Sequence, residues 1–294
     1  MKIASKLKMA LACIAFLSFA VSCDDDDNDA PKPVDNTITG IAVNNSNLKI
    51  LVQALTRAEL AATLQGAGPF TVFAPTDAAF TKFLTDNKFA SVADVPKDVL
   101  TQILLNHVVS GSVKSTALTT GYVKTLAKST ASGSNTMSMY VDLTSGVKLN
   151  GGAKVTTADV MASNGVIHIV DAVINLPTIV THANANPNFT TLVAALTFNP
   201  ASGFAATLSG TASSPFTVFA PTNDAFASFL TETKFSGLAA IPPTLLETVL
   251  KYHVVTGANV LDQITCKSLT GPIRKVIEAV IFMTMREPLR RRLS

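Results

Sequence analysis

The 294-residue chain is 48% hydrophobic and only 15% charged, with a mean hydropathy of +0.36, which excludes a disordered polar chain and supplies apolar material for two cores of ordinary size. Its formal charge of +3 rests on the first 22 residues, because removing Lys2, Lys6 and Lys8 leaves 20 Lys and Arg against 20 Asp and Glu. Nothing in the balance argues for a nucleic-acid partner, and three cysteines with four histidines leave disulfide and metal chemistry thinly supplied.

The three lysines precede an apolar run, Met9–Val21, that falls short of the ~20 residues a transmembrane helix needs, so residues 1–22 read as a secretory signal peptide. Ala20-Val21-Ser22-Cys23 resembles a bacterial lipobox, which implies cleavage before Cys23 and lipid attachment to its thiol. The cluster Asp24-Asp25-Asp26-Asp27-Asn28-Asp29 behind that cysteine is similar to the surface-export signal of Bacteroidetes lipoproteins. That resemblance implies a lipid-anchored protein of the outer membrane, exposed at the cell surface. The plainer alternative is an ordinary signal peptide and a solvated linker. The aspartates lack the alternating ligands, central glycine and closing glutamate of an EF-hand, so residues 23–43 are read as a lipidated acidic tether.

Structure is expected from Asn47, a candidate N-cap, followed by Leu48, Leu51, Val52 and Leu55 at helical spacing; Phe189, Leu192, Val193 and Leu196 repeat the pattern. Two nearly identical dodecapeptides, Pro69–Phe80 and Pro215–Phe226, lie 146 residues apart. That period is too long for a solenoid, whose repeats span ~20–50 residues, and marks a duplicated domain: repeat one over 44–177 and repeat two over 178–271. Within the dodecapeptide Phe70, Val72 and Phe73 form a strand, Pro75 stops it, and Thr76 caps a helix with Ala79, Phe80, Phe83 and Leu84 inward. Asp77 then favours the positive end of that helix. A second helix (Val99, Leu100, Ile103, Leu104) runs into His107-Val-Val. Short strands follow over 138–143, 147–149, 154–157 and 166–170, with turns at Asn150-Gly151-Gly152 and Asn164-Gly165. Helices followed by antiparallel strands give an α+β class.

Thr71-Val-Phe-Ala-Pro-Thr-Asp77, His107-Val-Val-x-Gly111 and Leu149-Asn-Gly…Ala162-Ser-Asn-Gly-Val-Ile-His-Ile-Val-Asp171 together resemble the fasciclin (beta-Ig-H3/fasciclin) domain. The resemblance implies a β-sandwich-like wedge with several helices, in two tandem copies of which the second is incomplete. It also implies adhesion or extracellular interaction without a family-wide catalytic centre, cofactor or metal. In animal relatives a Tyr-His pair is associated with integrin binding. Tyr252-His253 matches it, and Asn106-His107 stands in its place in repeat one. These four are the candidate adhesion residues, although a structural role for both histidines is favoured, as it is for His168.

Repeat two follows the pattern to about Leu269; residues 272–294 then form a basic, non-family tail with six Arg and Lys against two Glu. One reading is an amphipathic segment touching anionic lipid or a partner. The preferred one is a foreign end on a truncated domain. Expected partners are the membrane, through the lipid, and an unknown extracellular protein or glycan. An envelope hydrolase is the main rival, but Gly-x-Ser-x-Gly, His-Glu-x-x-His and Cys-x-x-Cys are all absent from the sequence. His182 is expected in a surface loop between the repeats. A small-ligand carrier would need a sizeable pocket with convergent polar groups. Since its sheet would lack strands, repeat two should be the less stable: limited proteolysis should cut it first, and equal cutting of both repeats would count against this.

Overall fold

In the computed structural model, residues 34–128, 135–210 and 215–257 are described. The expected signal peptide, the expected lipid-attachment residue Cys23, the acidic cluster and the 272–294 tail lie outside them. Packed structure begins earlier than Asn47. Helix α1 (Ile38–Asn44) is capped by the Thr37 hydroxyl, which accepts the Gly40 N–H at 3.2 Å. Ile38 and Ala42, one turn apart, are each 2% exposed. Ile38, Thr39, Gly40 and Ala42, expected in the tether, are therefore buried in the fold, because this turn carries an apolar face of its own.

Helix α2 (Lys49–Arg57) turns Leu51, Ala54 and Leu55 inward. Asn47 is not its cap: Leu48 holds that position without a side-chain hydrogen bond. The Asp77 carboxylate instead accepts the Ile50 N–H at 2.7 Å, while the Asp77 N–H donates to the Asn47 carbonyl at 2.8 Å. Asp77 thus opens one helix and caps another. Helix α3 (Ala61–Gln65) leads to strand β1 (Phe70–Pro75). The Thr76 hydroxyl then caps α4 (Asp77–Asp86) through the Ala79 N–H, as the sequence indicates. Helix α5 (Lys97–Asn106) follows and runs into β2 (Val108–Ser110).

Strands β3 (Gly121–Lys128), β4 (Thr136–Asp142), β5 (Lys148–Leu149), β6 (Ala153–Ala162) and β7 (Gly165–Val170) complete a seven-stranded sheet of order β2-β1-β7-β6-β5-β4-β3. The run from β3 to β7 is antiparallel, as expected. The pairing of β1 with β7 is parallel, from Phe70 opposite Gly165 to Pro75 opposite Val170. Strand β3 was not anticipated, because Gly121, Lys124 and Lys128 break up its apolar pattern. The sheet folds back until β3 lies beside β2. One core fills the fold between the layers, around Phe73, Met139, Val141, Leu149 and Val170. A second, with Leu51, Leu55, Phe80, Leu104 and Ile167, lies beneath the helices. This is the α+β wedge.

The turn before β7 does more than reverse the chain. The Asn164 Oδ1 accepts the Ile38 N–H at 2.9 Å, and its Nδ2 donates to the Leu64 and Gly66 carbonyls at 2.7 and 2.8 Å. One buried amide thereby ties α1 and α3 to the sheet. Gly165 must be a glycine: its φ is 158°, and a Cβ there would stand 2.0 Å from the Phe70 carbonyl oxygen.

Repeat two rebuilds the helical half. It contains α6 (Ile179–Ala185), α7 (Thr190–Thr197), α8 (Phe204–Ser209), β8 (Phe216–Val218), α9 (Asn223–Thr233), α10 (Pro243–Tyr252) and β9 (Val254–Thr256). Its β8–β9 register, Phe216 opposite Thr256 to Val218 opposite Val254, reproduces that of β1–β2. Asn223 repeats the Asp77 device by accepting the Thr191 N–H at 2.9 Å. Among the described residues β8 has β9 as its strand partner. Replacing Asn164 with Ala should cost repeat one about 3 kcal/mol in urea denaturation, since two buried backbone groups and one partly buried carbonyl lose their partner. A loss below about 0.5 kcal/mol would refute the clamp.

Candidate functional site

The candidate adhesion pairs occupy equivalent corners but different environments. In repeat one both residues are buried. The Asn106 Nδ2 donates to the Ile174 and Asn175 carbonyls at 3.3 and 3.0 Å, and its Oδ1 accepts the Thr125 hydroxyl at 3.2 Å. The His107 Nε2 accepts the Ile174 N–H at 2.8 Å, so Nδ1 carries the proton and donates to the Ile103 carbonyl at 2.7 Å. In repeat two the His253 Nδ1 lies 2.8 Å from the Val249 carbonyl, and the His253 carbonyl accepts the Phe219 N–H as that of His107 accepts Phe73. Tyr252 stands at the end of α10, 47% exposed. Of the four residues, only Tyr252 presents its side chain openly to solvent.

His168 is fully buried and stacks on Phe73 with ring centroids 5.3 Å apart. Its Nδ1 accepts the Asp159 N–H at 3.2 Å, so its Nε2–H donates to the Val113 carbonyl at 2.9 Å, the opposite tautomer to His107. The Asp159 carboxylate is held by Ser115, whose hydrogen bonds keep it below the usual carboxylate range. Ser115, Asp159 and His168 are thus neighbours without forming a relay, because backbone groups occupy both imidazole nitrogens. No group of three or more metal-ligating side chains is found among the described residues.

His182, expected in a loop, lies in helix α6, since Thr178 caps a helical turn there. Its ring meets Tyr122 edge-on at 5.4 Å, and burial lowers its pKa. The Nδ1 is buried without a hydrogen-bond partner among the described residues. Asn186 reaches the Tyr122 hydroxyl at 3.4 Å, so α6 packs repeat two against the β3–β4 edge of repeat one.

Beside this contact opens an apolar groove of about 550 Å³. Its walls are the repeat-two counterparts of a site that in repeat one measures about 10 Å³: Leu192 for Leu51, Leu196 for Leu55, Val218 for Val72, Leu250 for Leu104 and His253 for His107. In repeat one Ile167 of β7, paired with Val72, is among the residues that line it. The sequence gives no local signal for the groove, because it is made by residues that also read as ordinary core. Asn164 was missed as a clamp for a related reason: its partners lie 98 to 126 residues away.

Burial pushes the His107 pKa down to about 4, against an ordinary value near 6.5. The neutral ring therefore contributes fully above about pH 6.5, and its contribution is lost as pH falls towards 4. Repeat one should lose about 3 kcal/mol over that window, with the His107 imidazole resonances static between pH 7.5 and 5. Titration of that ring near pH 6.5 would contradict the assignment.

The fasciclin domain family model matches residues 46–177 and 187–276. Protein sll1483 of Synechocystis sp. is 38% identical over 142 residues, 48% of this chain and 74% of that protein. Another protein of that organism, sll1735, is 37% identical over 137 residues, 47% of this chain and 96% of its own length. Rat Stabilin-2 is 27% identical over 210 residues, which are 67% of this chain but 14% of Stabilin-2. A solved FAS1 domain pair from the insect cell adhesion molecule fasciclin I is similar over 77% of this chain and 75% of its own, at 18% identity and a TM-score of 0.39. With both repeats matched, the chain belongs to the fasciclin domain family.

Proposed function

We propose that this protein is a non-enzymatic cell-envelope lipoprotein that presents fasciclin domains for adhesion or for binding extracellular protein or glycan. The observation that carries the reading is the double fasciclin match, since these domains generally occur in adhesion or extracellular-binding proteins. The histidine geometry supports it. His107 and His168, fully hydrogen-bonded inside the fold, maintain architecture and present no free acid–base group. The lipobox at 20–23 and the following aspartates support export and anchoring through Cys23. No helix among the described residues is long and apolar enough to cross a membrane. The lipid is the anchor in this reading.

The groove has the size of a small-molecule site and carries Tyr122, Ser138 and His182 at one end. The corresponding site in repeat one measures about 10 Å³.

Replacing Cys23 with Ala should move the protein from the membrane fraction to the soluble fraction and abolish its contribution to cell-surface attachment. Retained membrane association would overturn the anchor. Wild-type attachment by cells lacking the whole protein would overturn the adhesive role.

A further inference from the structure

Helix α6 is where repeat two meets repeat one, and the contact leaves little slack. Ala183 and Ala185 are 5% and 6% exposed. A Cβ on Gly151, in the turn before β6, would stand 3.1 Å from the Ala185 Cα, so the two backbones are already close. His182 sets its ring edge-on against Tyr122, and Tyr122 leans in turn on Tyr140 with centroids 4.9 Å apart. The hydrogen bond from Asn186 to the Tyr122 hydroxyl is long, at 3.4 Å. Two side-chain atoms are buried without a hydrogen-bond partner among the described residues, Asn150 Nδ2 and His182 Nδ1, and both belong to residues of this region. We infer that docking of repeat two onto repeat one is gated by a proton at His182: the contact holds while the imidazole is neutral and loosens when it becomes an imidazolium.

His182 differs from the other imidazoles in what surrounds Nδ1. His107 and His253 hold that nitrogen 2.7 and 2.8 Å from the carbonyl four residues earlier, and the His168 Nδ1 receives the Asp159 N–H. The His182 Nδ1 meets no such group. A neutral ring can leave a lone pair there, but an imidazolium carries an N–H on both nitrogens. A charged donor would then stand dehydrated and unpaired, and leaving the contact would restore its water. Among the described residues no carboxylate is placed to relieve this. Strand β3 presents Tyr122 and, two residues along the same face, the exposed Lys124, which adds positive charge. Strand β4 presents Tyr140, while its Asp142 accepts the Thr144 N–H and stands opposite Lys148. Residues 150–152, 172–178 and 187–189, α7 and α8 carry no titratable side chain. Burial accordingly lowers the His182 pKa. A proton therefore binds the undocked ring more readily. Docking is fully favoured above the ordinary histidine value of about 6.5 and weakens as pH falls below it. His107, with a pKa of about 4, stays neutral through the upper part of that range and keeps repeat one folded. The proton releases one repeat from the other before it unfolds either.

This device goes beyond the adhesive reading and does not depend on it. The test follows the His182 and Tyr122 ring signals by NMR, and the radius of gyration by small-angle X-ray scattering, on the full chain between pH 7.5 and 5. His182 should titrate below about pH 6.5, with the Tyr122 signals moving at the same midpoint. The ratio of undocked to docked chain should rise about fivefold over that range, while the far-UV circular dichroism stays constant. His182→Phe keeps an aromatic ring against Tyr122 but takes no proton, so its radius should not change with pH. A His182 midpoint at or above about 6.5, or titration of His182 with Tyr122 unmoved, would overturn the gate without any variant having to fold. Equal expansion of His182→Phe would also overturn it, by assigning the change to another group. Loss of the far-UV signal over the same range would do so too, by assigning the change to unfolding.

Discussion

Strand β1 enters the sheet early in repeat one, yet its inner edge is covered only when β7 arrives 95 residues later and pairs with it in parallel. A pairing so distant in sequence carries a closure cost that local contacts must offset. The molecule concentrates polar latches there. Asn164 binds α1 and α3 as β7 begins, His168 reaches from within β7 to Val113 beyond β2, and His107 takes the Ile174 N–H just after β7 ends. The two histidines hold opposite tautomers, each fixed by the backbone groups that it joins. Burial in repeat one has thereby turned the most reactive-looking side chains into structural pins.

Repeat two reproduces the local part of that architecture among the described residues. Its strand-to-helix corner, crossed cap and β8–β9 register follow repeat one closely. The helical half of a fasciclin domain is therefore rebuilt in repeat two from the same short-range signals. An apolar groove lined by both repeats lies next to the contact that joins them, where Tyr122 meets His182.

Much of this was legible in the sequence because it depends on short-range chemistry. Thr76 capped its helix, and the Phe80–Phe83–Leu84 face turned inward, as the spacing required. The failures were those of long range or of weak pattern. The sequence pattern places Asp77 in its own helix, yet its carboxylate serves α2, 27 residues earlier. The acidic run before residues 37–43 makes them look like part of a tether, although Ile38 and Ala42 already carry a helical apolar face. His182 looked like a loop residue amid alanines and asparagines, and became helical because Thr178 caps that turn. The parallel β1–β7 pairing had no signature short enough to read.

If β7 closure is what distinguishes the repeats, hydrogen exchange on the full chain reads it directly. The account predicts that the amides of Val72, Phe73 and Ala74 exchange only through global unfolding of repeat one, while those of Val218, Phe219 and Ala220 exchange at least a hundredfold faster through local opening. Equal protection of the two strands would contradict it.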